Sequence, residues 1–188
     1  MLNKKLLSKV FVLLFAALLI YPATCFAGKI PATGDIFPAE DLKMPEGDVY
    51  VKYLGLDGSK ETFKLSDIKA QLALVQIFSM YCPVCQREAP EVNELYNLIE
   101  EGGLSDKIKV IGIAPGNSQF EVNVFREQYN IPFPLIPDGD YEWHKIMGEV
   151  GTPYFLAVKL DNGEILEDNL GAFGTPQEFF EIIKKHVK

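Results

Sequence analysis

Cysteine is almost absent from this chain, with three among 188 residues. Cys25 lies in a leader-like stretch, so the rest of the chain holds only Cys82 and Cys85. That count excludes a scaffold stapled by several disulfides. A bridge spanning two intervening residues would close a very small loop and add little stability through chain entropy. Histidine is scarcer still, limited to His144 and His186. A structural zinc site wants about four ligands, and two cysteines with two distant histidines are a poor source of them. Positive charge is also short, with 18 Lys and Arg against 26 Asp and Glu for a net charge of −8. Such a surface gives nucleic acid or an anionic membrane no reason to bind. Internal repeats and low-complexity tracts are missing, and Gly112, Gly116 and Gly171 match no phosphate-binding loop.

Long apolar runs are limited to one. Residues 10–21 carry no charge, follow Lys4, Lys5 and Lys9, and are broken by Pro22 before small residues lead to Ala27. This is the layout of a secretory signal peptide, and the run is shorter than the roughly 20 residues of a transmembrane helix. The expectation is a leader over 1–27 with cleavage after Ala27. An uncleaved anchor is the alternative, and it too would place the remainder outside the cytoplasm. Pro22-Ala23-Thr24 before Cys25 makes a poor lipobox. Losing the leader removes three lysines and no acid, taking the net charge from −8 to −11. The remaining 161 residues can bury a sizeable core without covalent staples. One tight cysteine pair in an oxidising compartment therefore points to redox chemistry.

Residues 28–48 are rich in Pro, Gly and acids and read as an extended N-terminal arm. Residues 49–54 alternate, Asp57-Gly58 marks a turn and 62–65 pair back, which predicts a β-hairpin. Residues 72–78 form a nearly continuous apolar run suited to a central strand covered on both faces. The cysteine pair follows, with Pro83 in the first turn of a helix. Ala89, Val92, Leu95 and Ile99 give that helix an apolar stripe, and Gly102-Gly103 ends it. A buried strand is expected over 109–114, then a helix over 118–129 with Phe120, Val124 and Gln128 along one side. A strand over 133–136 and a short helix over 141–147 follow. Strands over 154–160 and 165–170 are joined by the Asp161-Asn162-Gly163 turn. Thr175-Pro176 opens the last helix, with Phe179, Ile182, Ile183 and His186 inward or flanking. This order predicts an α/β fold of one domain over 49–188, a three-layer α/β/α sandwich around a mixed central sheet.

A strand leading into Cys-x-x-Cys at a helix start is more informative than the motif alone. Unpaired backbone N–H groups and the helix dipole stabilise a thiolate there, lowering a free-thiol pKa of about 8.5 into roughly the 3.5–7.5 range. Cys82 is assigned as nucleophile and Cys85, one turn in, as resolving thiol. Half of a zinc site and a structural disulfide are the competing readings of the pair.

The segments Leu56-Asp57-Gly58, Phe63-Lys64-Leu65-Ser66-Asp67-Ile68-Lys69, Leu74-Val75-Gln76-Ile77-Phe78 and Cys82-Pro83-Val84-Cys85-Gln86-Arg87-Glu88-Ala89-Pro90 resemble the TlpA/ResA branch of the thioredoxin superfamily. Gly151-Thr152-Pro153-Tyr154-Phe155-Leu156 adds to the resemblance, which runs from about residue 34 to 188. The helix at 118–129 with the strand after it matches the central insertion of this branch. The resemblance implies a thioredoxin-like fold and an exported disulfide reductase of the kind that keeps apocytochrome c or other secreted thiols reduced. It implies a cis Thr152-Pro153 peptide facing the cysteines, with Tyr81, Pro83, Thr152 and Pro153 meeting the substrate protein. Glu88 is implied to be a buried acid that passes protons to or from the pair. The implied partners are protein thiols and disulfides, with a membrane-embedded thiol carrier as electron donor. No cofactor or metal is called for, and a monomer is expected.

Two positions depart from the pattern. Gln76 stands where ordinary thioredoxins carry a buried aspartate, and Tyr81 where they carry tryptophan. The motif dipeptide Pro83-Val84 supplies no histidine, so a reducing couple is expected. Two other readings stay open. A peroxiredoxin-like peroxidase would want a Thr-x-x-Cys that is missing here, and a copper-binding thiol chaperone would use a longer cysteine spacing plus a histidine.

Overall fold

The computed structural model describes residues 28–188. The leader over 1–27, its cleavage site and Cys25 lie outside the described residues. In chain order the elements are β1 (Leu42–Lys43), α1 (Asp48–Leu54), β2 (Thr62–Phe63), a 3₁₀ turn (Leu65–Asp67), β3 (Leu72–Ile77) and α2 (Pro83–Glu101). Then come β4 (Ile108–Pro115), α3 (Gln119–Tyr129), β5 (Leu135–Asp138), α4 (Glu142–Ile146), β6 (Tyr154–Lys159), β7 (Ile165–Leu170) and α5 (Pro176–Lys184). No helix among the described residues is long and apolar enough to cross a membrane.

The main sheet has the order β5-β4-β3-β6-β7. Strands β3, β4 and β5 run parallel, while β6 and β7 are antiparallel additions. Every residue of β3 is buried, as expected for a strand covered on both faces. Alternate residues feed two cores. Leu72, Leu74 and Phe78 pack with Cys85, Ala89, Val92, Leu95 and Ile99 of α2 and with Phe179, Phe180 and Ile183 of α5. Ala73, Val75 and Ile77 face Phe37, Leu42, Leu54, Phe63 and Trp143 on the other side. The result is the expected α/β/α sandwich.

The predicted hairpin over 49–54 and 62–65 is not formed. Residues 48–54 are α1, closed by Gly55 in the left-handed region at φ 68°. The alternation that suggested a strand coexists with helical spacing of Tyr50, Tyr53 and Leu54, and tertiary partners decide between the two. Tyr50 lies under the Arg126 guanidinium, the Tyr53 hydroxyl accepts the Val110 N–H at 2.9 Å, and Leu54 is fully buried. Strand β2 pairs instead with β1, from the stretch read as an arm. That arm is extended but firmly docked. It runs along the open edge of β7 through hydrogen bonds from Gly34 N to Ile165 O and from Ile165 N to Asp35 O.

The expected face of α3 is also out of phase. Val122 and Phe125 point inward, Phe125 lying 4.9 Å from Phe78 ring to ring, while Phe120 is 76% exposed. In α5, Phe180 takes the buried place expected for Ile182, which is exposed. Trp143 stacks on Phe37 at 5.7 Å in the second core, so it does not replace the tryptophan missing at Tyr81.

Gly112, paired with Gln76 across the sheet, is required by close packing. A Cβ there would stand 2.6 Å from Leu135 Cδ2 and 2.9 Å from the Phe78 ring. Overpacking a filled core of this kind costs about 1–3 kcal/mol. Gly112→Val is expected to lower the unfolding free energy by that amount, read as a lower urea midpoint at unchanged m value; a midpoint at or above the parent's would show that Phe78 and Leu135 yield.

Candidate active site

Strand β3 delivers the chain to the surface at the C-terminal end of the parallel strands. The turn after it is closed by the Cys82 N–H donating to Ser79 O at 3.0 Å. Cys82 is then the N-cap of α2, extended at φ −81° and ψ 114°, with Pro83 in the first turn. Its sulfur takes the place of a capping oxygen and accepts the Cys85 N–H at 3.3 Å. As a thiol it donates to the Thr152 carbonyl, also at 3.3 Å. Both cysteines are free, Cys82 half-buried and Cys85 buried.

Their environments oppose each other. Partial burial raises the Cys82 pKa, but hydrogen bonding by the Thr152 side chain, by the backbone and side chain of Cys85 and by the Val84 backbone outweighs it and brings the thiol below its ordinary value. The Cys85 and Val84 backbone groups are N–H donors, as expected at a helix N-terminus. Burial pushes Cys85 up to about 12, with the neighbouring Cys82 sulfur adding to the rise. The two sulfurs are therefore unequal, the first favouring its thiolate and the second its thiol. When Cys82 forms a bond to a partner sulfur, its contribution to that rise disappears and Cys85 ionises more easily.

The Thr152–Pro153 peptide is cis, and Pro153 is buried beside the pair. Tyr154 follows, pairs with Ile77 of β3, and donates its hydroxyl to the Pro31 carbonyl at 2.6 Å. Tyr81 is 63% exposed, and its hydroxyl donates to Glu121 Oε1. That bond lowers the Glu121 pKa, with the Ser118 hydrogen bonds acting the same way. Glu121 Oε2 meanwhile accepts the Ser118 N–H at 2.7 Å, completing the capping box of α3. The exposed Pro83 adjoins Cys82 on the open side of the site.

Glu88 is half-buried one turn beyond Cys85. Its carboxylate accepts the Phe173 N–H at 3.4 Å, and among the described residues it makes no direct hydrogen bond to either thiol. His144 places Nε2 3.0 Å from the Val150 carbonyl, and His186 meets Glu167 at 2.8 Å; each is engaged in structural contacts. Among the described residues, no three His, Cys, Asp or Glu side chains cluster as a metal site. Gln76 is buried in β3 with Gly112 and Phe155 as its neighbours across the sheet.

Sequence reasoning missed three contributors. Asn117, fully buried, accepts the Met80 N–H at 2.8 Å. Gln86 donates to the Met80 carbonyl at 2.7 Å, and Glu121 anchors Tyr81. Ser118-x-x-Glu121 was legible as a capping box, but its contact with Tyr81 spans 40 residues.

A dithiol at the head of a helix, on this sheet and opposite a cis-proline turn, defines a thioredoxin-fold thiol–disulfide oxidoreductase. The chain belongs to the AhpC/TSA family, whose pattern matches residues 34–164. It is 24% identical over 140 residues to the thiol-disulfide oxidoreductase ResA of Halalkalibacterium halodurans, covering 73% of this chain and 77% of that one. The crystal structure of a putative thiol:disulfide interchange protein DsbE from Chlorobium tepidum superposes with a TM-score of 0.60 at 17% identity, covering 84% and 96% of the two chains. Mycobacterium tuberculosis AhpC gives 0.59 at 19% identity, covering 84% and 99%. These likenesses between structures concern the fold.

The contrast between the sulfurs sets the expected reactivity. Alkylation of reduced protein falls on Cys82, and its rate rises with pH as the thiolate forms, with a midpoint below the free-thiol value of about 8.5. In Cys82→Ser, Cys85 stays unmodified at pH 9 until the protein is unfolded. Equal labelling of both cysteines in the native protein would contradict the assignment.

Proposed function

We propose that this protein is an exported disulfide reductase that acts on protein disulfides outside the cytoplasm. The acidified Cys82 at the head of α2, with a protonated Cys85 beneath it, carries this reading. The Cys82 thiolate attacks a substrate disulfide, forming a Cys82–substrate bond and releasing the first substrate thiolate. Cys85 then loses its proton and attacks the Cys82 sulfur, closing the Cys82–Cys85 disulfide and releasing the second substrate thiolate. Two electrons pass to the substrate, and two protons complete its thiols.

Tyr81, Pro83, Thr152 and Pro153 surround the attacking sulfur and form the surface that meets the substrate chain. Glu88, one turn from Cys85 in α2, serves as that thiol's proton acceptor. The leader pattern over 1–27 supports export, and a membrane-embedded thiol carrier returns the protein to its dithiol form. Kinship with ResA supports a role in keeping exported thiols reduced, of the cytochrome c maturation kind. The reduced protein acts as a monomer and needs no bound cofactor.

The family match favours a second reading, peroxide reduction by Cys82. Against it, a resolving Cys85 lies three residues after Cys82 and no Thr-x-x-Cys precedes it. Hydrogen peroxide consumed by reduced protein faster than a free thiol consumes it would promote that reading.

The reduction potential of the Cys82–Cys85 pair separates reductase from oxidase. A value below about −220 mV is expected, and one near −120 mV would place the protein among oxidants. Cys85→Ser is expected to accumulate mixed disulfides with substrate proteins through Cys82, and Cys82→Ser to accumulate none. Glu88→Gln is expected to alter the pH dependence of the resolving step measured by stopped flow; identical profiles for mutant and parent would remove Glu88 from the mechanism.

A further inference from the structure

The residues between β3 and Cys82 carry no regular structure, yet the nucleophile's surroundings depend on where they hold it. Met80 stands two residues before Cys82, and both of its backbone polar groups are taken by side chains from elsewhere. Asn117, on the turn between β4 and α3, accepts the Met80 N–H through Oδ1 at 2.8 Å. Its Nδ2 donates to Ser79 Oγ at 3.4 Å. Gln86, on the first turns of α2, donates through Nε2 to the Met80 carbonyl at 2.7 Å. Asn117 is itself fixed, with no exposed surface and its N–H on Ala114 O at 3.1 Å. A buried amide with its hydrogen bonds satisfied is costly to displace, and losing one partner strands the other.

We propose that Asn117 and Gln86 are positioning residues that hold Cys82 at the head of α2 by clamping the backbone of Met80 from two sides. The inference rests on the reading of Cys82 as the nucleophile. Neither side chain touches the sulfur. The hydrogen bonds that favour its ionised form come from backbone and side-chain groups in α2 and at Thr152. They persist only while the N-cap residue keeps its extended conformation. With Met80 released on either side, the turn Ser79–Cys82 gains freedom and the sulfur leaves its donors for part of the time. Asn117 and Gln86 are uncharged, so their removal reaches the sulfur only through this geometry. The titratable groups nearby are Cys85 and Glu88 on α2, Tyr81 on the same loop, Glu121 of α3 behind Tyr81, and Tyr141 at the head of α4 against Gly116; both variants keep all five.

The test compares the pH profile of iodoacetamide alkylation at Cys82 in the reduced parent, Asn117→Ala and Gln86→Ala, with folding checked by circular dichroism. Folded variants are expected to show a midpoint displaced to higher pH and a rate at pH 7 lower by about threefold or more, in step with the lost thiolate fraction. A variant that melts earlier but keeps the parent profile would show a merely structural role and overturn the clamp. Should Asn117→Ala fail to fold, Gln86→Ala decides on the same readout, since it removes a half-buried side chain and leaves Asn117 in place. A parent profile like that of a free thiol would overturn the nucleophile reading and the clamp with it.

Discussion

A sulfur occupying the N-cap position of α2 is the contact on which the site depends. Helix N-termini leave backbone N–H groups without partners, and Cys82 supplies an acceptor that is better ionised than neutral. The same helix that exposes the first sulfur carries the second one turn inward, against Leu74, Phe78 and Ala89 in the core. A single backbone geometry thus lowers one thiol's pKa and raises the other's. That contrast orders the proposed exchange: the acidic sulfur is the one placed to attack first, and the buried one to follow once its neighbour is no longer an ionisable thiol. No cation is required to set that order.

The rest of the site is positioned by sheet register. Ile77 of β3 pairs with Ile113 of β4 on one side and Tyr154 of β6 on the other. Beyond these three residues lie the loops that bring Cys82, Asn117 and Thr152 together. A slip of one residue between β3 and β6 would move the Thr152 carbonyl by about 3.3 Å and turn every β6 side chain to the wrong face. It would also separate the carbonyl from the Cys82 sulfur. The burial of both faces of the sheet, with different side chains on each, is what forbids the slip. The core therefore matters to the chemistry through alignment as well as through stability.

What could be read from the sequence was local. The cysteine pair, Pro83 and the stripe Ala89, Val92, Leu95 and Ile99 all lie within one helix, and their meaning does not depend on distant partners. Residues 49–54 satisfied two periodicities, and the choice between them was made by Arg126 and Val110, far along the chain. Phe120 was misplaced because a helix of eleven residues with apolar groups at 120, 122, 124 and 125 admits more than one inward face. Asn117 was invisible as a site residue, because an Asn before a Ser helix cap is ordinary turn chemistry. Only the fold shows that its amide reaches Met80.

The docked arm ties residues 31–35 to these features. The Asp168 carboxylate on β7 accepts the Thr33 N–H and hydroxyl and, through its other oxygen, approaches the Tyr154 hydroxyl. Tyr154 also reaches Pro31, so the residue following Pro153 is held by the arm as well as by the sheet. The arm covers the edge of β7 at its first residue, Ile165, whose backbone groups would otherwise be open to other chains. A segment tied at once to the sheet edge and to the strand beside the cysteines has little freedom to swing. Pro31 and Thr33 are thereby fixed relative to β6 and, through its pairing with β3, to the loop that carries Cys82.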